Sequence, residues 1–454
     1  MASAKGVQML HRTQKFRELV RRWDWLLIVI IAPAVLFPNA GQAWALLALL
    51  LVLVVQALAW GEQLPVTPLN PAMLLLIIMV GVSTFVTPDL ANSLGKIAGL
   101  LYGITVYFCV VRHTQTKQGW RSSLVLFVFT GVGIALLGVG GTSWDTTKNF
   151  GLNPVTTRLP VRLEGLPGIE TGINPNVLAG TLLWILPVIF FAGLALVHES
   201  DWFFSSARRS KVRLSHFSAW AILLLISFIL IFGVLVLTQS RGGYLALALS
   251  SLVLMVLVPM WPRRWWIIGV VAAIAISGLI LIQENGWKSI QDQVIDILPT
   301  DISAFSMNSL NMRREIWSRA IWEIKDVPLT GLGMNVFPNA TNLLYPTFIV
   351  SGGSKVGHAH SELLQAAVEL GLPGLVGFIA VYVGALGMLF RSINYGGAHR
   401  LLALGLFGGL LAHFIFGTID AVILEAKPGF LFWWLLGMAF GLYAQCHEIK
   451  ETEQ

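Results

Sequence analysis

Gln239-Ser240-Arg241-Gly242-Gly243-Tyr244 sets an arginine between two apolar runs, and glycines beside a guanidinium let backbone and cation close on a phosphate. An ordinary interfacial turn with a snorkelling arginine fits the same residues. A second arginine, Arg313, stands four before Trp317 in a stretch, Asn308 to Lys325, with helical periodicity. Ile316, Trp317, Ala320, Ile321 and Ile324 share a face with Arg313, while Arg314 falls towards its edge and Arg319 on the far side. An arginine aimed along an apolar stripe needs an anion or a wet cavity at its tip. The third candidate is His360, just before a helix expected from Ser361. A helix N-terminus disfavours imidazolium and leaves a neutral ring able to accept a proton, against the plainer possibility of a surface or structural histidine.

The neighbours of His360 are weighed the same way. His358 faces elsewhere if the helix extends back through it, and the same way as His360 in a loop. Glu362, Gln365 and Glu369 follow on the helix, with Glu369 close to where a membrane would begin, orienting a partner or facing water. His358, His360 and Glu362 are a conceivable metal set, but no third histidine or cysteine has ligand spacing, so no metal is expected. No phosphate-binding glycine loop of the nucleotide kind occurs, so no cofactor is expected either. Asn174-Pro175-Asn176 has the composition of a helix cap, with Asn176 a possible supporting residue.

The elements that must position these residues are apolar. Of 454 residues, 56% are hydrophobic and 12% charged, about half the charge of a soluble domain. The expected fold is an all-α integral membrane protein of about twelve transmembrane helices with a large extracytoplasmic loop containing short amphipathic helices. The runs are Trp25 to Phe37, Ala43 to Trp60, Pro71 to Val86, Lys96 to Val111, Ser122 to Gly140, Asn176 to Val197, His216 to Leu237, Tyr244 to Pro259, Trp265 to Gln283, Ser361 to Phe390, Leu401 to Phe416 and Pro428 to Gln445. A Trp-flanked first run without a small-residue cleavage site is expected to stay as a helix instead of being removed as a signal peptide.

Lysine and arginine clusters alternate so that both termini are expected inside. Residues 1–24 form a basic cytoplasmic segment, 25–283 hold spans one to nine, 284–360 an extracytoplasmic loop, 361–445 spans ten to twelve, and 446–454 a cytoplasmic tail. The net charge of +7 follows this clustering, which argues against nucleic acid as a partner. Cys109 and Cys446 fall at the cytoplasmic ends of spans, so no disulfide is expected in the outer loops. The tenth run would be about 45 Å long as one helix, more than a hydrocarbon core of about 30 Å, and a kink is expected at Gly371-Leu372-Pro373-Gly374.

Ser240-Arg241-Gly242-Gly243, Arg313 before Trp317, Pro328-Leu329-Thr330-Gly331-Leu332-Gly333 and His360-x-x-x-Leu364-Gln365-x-x-x-Glu369-Leu370-Gly371-x-x-Gly374 resemble, as a set, the bacterial O-antigen ligase and polymerase family. Gly172-Ile173-Asn174-Pro175-Asn176 with Ala179-Gly180 looks like that family's Asn-Pro-Asn element, so the likeness runs from about Gly172 to Tyr382. Ser361 departs from it, because members often carry asparagine after the histidine.

The resemblance implies a metal-independent glycosyltransferase in the bacterial cytoplasmic membrane, working on its outer face. Its partners would be an undecaprenyl-pyrophosphate-linked glycan donor, a glycan or lipid acceptor such as the lipid A core, and membrane lipid. By position, Arg241 and Arg313 would hold the pyrophosphate and His360 would activate the acceptor hydroxyl. A polymerase and a protein-glycosylating relative fit the same residues. A solute or anion transporter is the rival from another class, but ionisable residues within the spans are few, His413 among them.

Overall fold

The computed structural model describes residues 25–33, 42–61, 64–142, 172–203, 211–258, 300–348, 356–424 and 427–453, with isolated positions between 14 and 20 and at 35, 144, 155 and 158–159. The helices are α1 (Gln42–Trp60), α2 (Asn70–Val86), α3 (Leu90–Thr114), α4 (Lys117–Gly141), α5 (Pro175–His198), α6 (Ser200–Phe203), α7 (Lys211–Leu237), α8 (Arg241–Leu257), α9 (Thr300–Asp326), α10 (Phe337–Leu344), α11 (Glu362–Ile393), α12 (Gly397–Gly417) and α13 (Phe430–Glu453), the last entered through a 3-10 turn at Lys427–Gly429. Among the described residues the only strand-like pairing is an isolated bridge between Thr142 and Ile173.

Seven of these helices are long and apolar enough to cross a membrane, by length and composition, and three apolar segments, Leu46–Trp60, Asn70–Val86 and Arg241–Leu257, are shorter. Together they answer to the expected runs two to eight and ten to twelve. The first run is helical at 25–33, while the ninth, Trp265 to Gln283, and the loop start at 284–299 lie outside the described residues.

Several helix starts differ from the hydrophobic runs, because polar caps lie ahead of the apolar residues. Asp89 caps α3 through the Asn92 N–H, so the helix begins at Leu90 and Lys96 lies inside it. Thr116 caps α4 through the Gly119 N–H. Ser240 caps α8 through the Gly243 N–H, which makes Arg241 the first helical residue instead of part of a turn before Tyr244.

The core is built from close helix pairs, α12 on α5, α13 on α3 and α11 on α2. Gly409 shows the need for small residues there: a Cβ on it would stand 2.6 Å from the Trp184 carbonyl oxygen. Trp120 Nε1 donates across to the Met438 carbonyl at 3.0 Å, and Cys109 and Cys446 are buried thiols, neither of them in a disulfide.

The expected kink in α11 is present, and glycine is its hinge. Gly371 has φ +70 and ψ 177, which no helix can hold. A continuous helix would join the Leu372 N–H to the Val368 carbonyl. Instead Leu372 N–H donates to the Pro328 carbonyl at 2.7 Å, and Val368 accepts from Leu332 N–H at 2.8 Å. Pro328 to Leu332 thus plugs the opened turn, a reason for its Pro-Leu-Thr-Gly-Leu-Gly pattern. Gly331, at φ +66, approaches so closely that a Cβ would meet Gly371 N at 2.6 Å and Val368 O at 2.7 Å. Gly331→Ala is expected to cost roughly 2–4 kcal/mol, strain and overpacking together, seen as a lower melting temperature in detergent. An unchanged melting temperature would show that the plug is not needed.

Candidate functional site

The starts of α3, α5, α8 and α11 and the end of α12 meet at one end of the bundle, and α9 and α10 pack over it. The contacts are specific. A Cβ on Gly333 would touch Thr87, Asn335 Nδ2 donates to the Asn92 carbonyl at 3.0 Å, and Gly180 abuts Phe416 and Val422. The cap over this end has its own small core of Ile316, Ala320, Phe337, Val356, Ala359 and Val368.

His358 and His360 precede α11 in an irregular, bent stretch, the loop case considered above, and not in a continuing helix. Ala359 is buried between them, so both rings turn the same way, with centroids 4.1 Å apart. Gln365 Oε1, one turn into α11, accepts the Ala359 N–H at 2.7 Å, and Trp317 Nε1 donates to the His360 carbonyl at 3.2 Å. These bonds hold His360 at φ +46, a conformation that a residue with a Cβ adopts only under constraint.

Asp420, in the turn after α12, joins the two rings. Its Oδ1 lies 3.1 Å from His358 Nε2 and 3.2 Å from His360 Nδ1, and it also accepts the Ala421 N–H at 3.0 Å. Arg313 Nη2 stands 3.7 Å from Oδ2. Burial opposes the charged form of Asp420, but the hydrogen bonds and charges of His358 and His360 outweigh it and hold the carboxyl well below the usual carboxylate range. An ionised carboxylate only accepts, so His360 carries a proton on Nδ1, and whenever the ring is neutral its lone pair is on Nε2.

Glu362 fixes the turn that presents Asp420: its Oε1 accepts the N–H groups of Val422 and Ile423. It is therefore an anchor, and in the conceivable metal set of His358, His360 and Glu362 its place is taken by Asp420. Glu369 is also engaged elsewhere. Buried at 0% exposure, it binds Lys96 Nζ at 2.6 Å and the Asn335 N–H at 2.7 Å, tying the plug and α10 to α3. It orients partners and does not face water.

Arg241 begins α8 on the neighbouring turn. Gly242 permits this, because a Cβ there would stand 2.6 Å from Ile419 Cδ1, the residue before Asp420, and Gly243 lies against Ala179. Arg314 is exposed and is not drawn into the cluster. Asn176 lends only its backbone N–H to the Asn174 cap, so the capping account of Asn-Pro-Asn holds.

One expectation for α9 is corrected, the place of Ile321 among the covered residues. Ile321 is exposed, and Arg319, on the far side, is buried. Its guanidinium lies over Trp322 and Phe348, bonds the Pro346 carbonyl and pairs with Glu315, because the chain after α10 folds back across that face. Helical periodicity gives the faces of one helix but not the segment that later covers them.

A second buried acid, Glu323, accepts from Thr341 Oγ1 at 2.8 Å and links α9 to α10. Burial pushes its carboxyl up to about 7, although the Thr341 bond pulls the other way. The folded state thus holds a proton that the unfolded chain releases above about 4.3. The resulting stabilisation is complete below that value and is lost as pH rises through about 7, by roughly 3 kcal/mol. Protection of the α10 amides, taken relative to their intrinsic exchange at each pH, should fall between about pH 4.5 and about pH 7.5, and Glu323→Gln should flatten the dependence. An equal slope in that variant would assign the effect elsewhere.

Residues 226–379 match the family model of O-antigen ligase. The likeness read from the motifs is therefore supported over the segment that carries Arg241, Arg313, His358 and His360. No curated protein matches the chain. The O-antigen ligase family is one of glycosyltransferase-like ligases and polymerases, so the match supports a membrane transferase of that general kind with lipid-linked glycan and acceptor partners. The O-antigen ligase segment ends before Asp420. A carboxylate among apolar residues between the last two expected spans was the signal available for it, and only as part of a turn that also holds Glu425.

Proposed function

We propose that the chain transfers a glycan from undecaprenyl pyrophosphate to an acceptor hydroxyl on the outer face of the cytoplasmic membrane, as an O-antigen-ligase-like enzyme. The observation that carries this is the Asp420 cluster, which links a partly exposed histidine to a partly exposed arginine.

The acceptor oxygen attacks the anomeric carbon, the bond from that carbon to the pyrophosphate oxygen breaks with its electrons leaving on the phosphate, and the acceptor proton passes to His360 Nε2. Asp420 holds the tautomer and stabilises the imidazolium that forms. Arg313 and Arg241 meet the charge that grows on the pyrophosphate, where forked guanidinium groups act most strongly. Proton transfer and charge stabilisation are both supplied by side chains, so the step needs no metal, and the phosphate leaving group supplies the driving force without ATP.

An apolar cavity of about 550 Å³, lined by Leu186, Phe190, Phe228, Leu247, Met255 and others, follows α8 from Leu247, about 9 Å of helix from Arg241, to Val258 past its far end, and so lies mostly away from the proposed pyrophosphate site.

The test incubates purified protein with lipid-linked glycan and candidate acceptors. Release of undecaprenyl pyrophosphate with glycan on a different acceptor identifies a ligase, and a ladder on the lipid carrier a polymerase. No release with any acceptor, or uptake of a labelled anion by proteoliposomes in place of release, would refute the transferase.

A further inference from the structure

The two imidazoles and the carboxylate have a second chemistry. His358 Nε2, His360 Nδ1 and an Asp420 oxygen all lie within 4.8 Å of one another. The two nitrogen-to-oxygen separations are 3.1 and 3.2 Å. Ligands about 2.0–2.1 Å from a tetrahedral zinc ion stand about 3.3 Å apart, so these donors have nearly the spacing of a ligand set.

The frame around the donors is fixed by bonds other than those between the rings and Asp420, so an ion replaces the two ring-to-carboxylate hydrogen bonds without undoing the frame. Ala421 and Arg313 fix the carboxylate, and Gln365 and Trp317 fix the backbone of residues 359 and 360. Both rings are half-buried and Asp420 lies behind them, so an ion arriving from solvent meets the imidazoles first and keeps a fourth position for water. Two imidazoles and one carboxylate select late first-row cations over magnesium and calcium, which prefer oxygen shells.

We propose that His358, His360 and Asp420 form a binding site for a late first-row divalent cation such as Zn2+, and that its occupation stops transfer. For the ion to be held, the proton of each neutral ring moves to its other nitrogen, from Nε2 to Nδ1 in His358 and from Nδ1 to Nε2 in His360, so that Nε2 of His360 can then only donate. No proton is released and no bond to substrate changes. The binding half rests on geometry alone, and the inhibitory half rests on the transferase reading.

The experiment uses full-length protein in detergent, with any affinity tag removed and metals stripped by EDTA, titrated with Zn2+ against a chromophoric chelator. A single equivalent is expected to bind, undisplaced by Mg2+. Zinc X-ray absorption of the unmodified protein should show two imidazole nitrogens and one carboxylate oxygen at about 2.0–2.2 Å. His358→Ala and Asp420→Ala should each weaken binding by more than the roughly 100-fold that an outer-shell loss can cost. His113→Ala should leave it intact.

No stoichiometric binding, a shell lacking the imidazole pair, or affinity unmoved by both variants would overturn the site. Binding without loss of transfer would overturn the inhibitory half. Metal-free protein that transfers nothing would refute the transferase reading and leave the binding result standing.

Discussion

Asp420→Asn is expected to lower the rate of glycan transfer by about 10²- to 10⁴-fold, the range of a positioned general base, although the residue touches no substrate. Asparagine is nearly isosteric, so the turn anchored by Glu362 should persist. Its amide, however, donates as well as accepts. An amide N–H in the Oδ1 place would break the Ala421 bond and put the His360 ring proton on Nε2, where an acceptor proton must go, whereas in the Oδ2 place it would face Arg313 and leave the tautomer as it is. The negative charge that would stabilise the imidazolium is lost as well. The measurement is released undecaprenyl pyrophosphate, with kcat and KM resolved separately. A fall in kcat at nearly constant KM supports positioning, whereas an equal fall in protein level or melting temperature would assign a structural role. His360→Ala should fall at least as far, and full activity in it would remove the proposed base.

Arg313→Ala and Arg241→Ala are each expected to cost about 10²- to 10³-fold, comparable to deleting one preorganised donor at a developing charge. Arg313→Lys should recover little, because a point charge lacks the planar fork that grips two phosphate oxygens. The Arg313 variant carries a second effect, removal of the cation near Asp420 Oδ2, and a double-mutant cycle separates the two. If both arginines bind one pyrophosphate, the double variant falls less than the product of the singles. Strict additivity would mean that they serve separate groups. Near-normal transfer in both singles would end the proposed donor site.

What could be read from the chain followed from local rules. The apolar runs predict most of the described helices because a span needs only length and hydropathy. Gly371 and Pro373 predict the kink because their backbone chemistry cannot sustain a helix. The arginines and His360 are visible because a charged or titratable group among apolar residues is costly and therefore conspicuous.

The rest depends on distant segments meeting. Asp420, 60 residues beyond His360, supplies the hydrogen bond that selects the tautomer, and no periodicity links the two. The same holds for Glu362 and Glu369, whose carboxylates serve backbone N–H groups and a lysine that only folding brings near. Arg319 likewise lies on the far side of α9, as its spacing has it, but that the chain after α10 covers it is not legible in the spacing. Residue types and spacing determine which groups can do chemistry, since ionisation and hydrogen-bonding capacity belong to the side chain. Which nitrogen holds the proton, and which carboxylate is a partner and which an anchor, is decided by distances of about 3 Å between parts of the chain that the sequence keeps far apart.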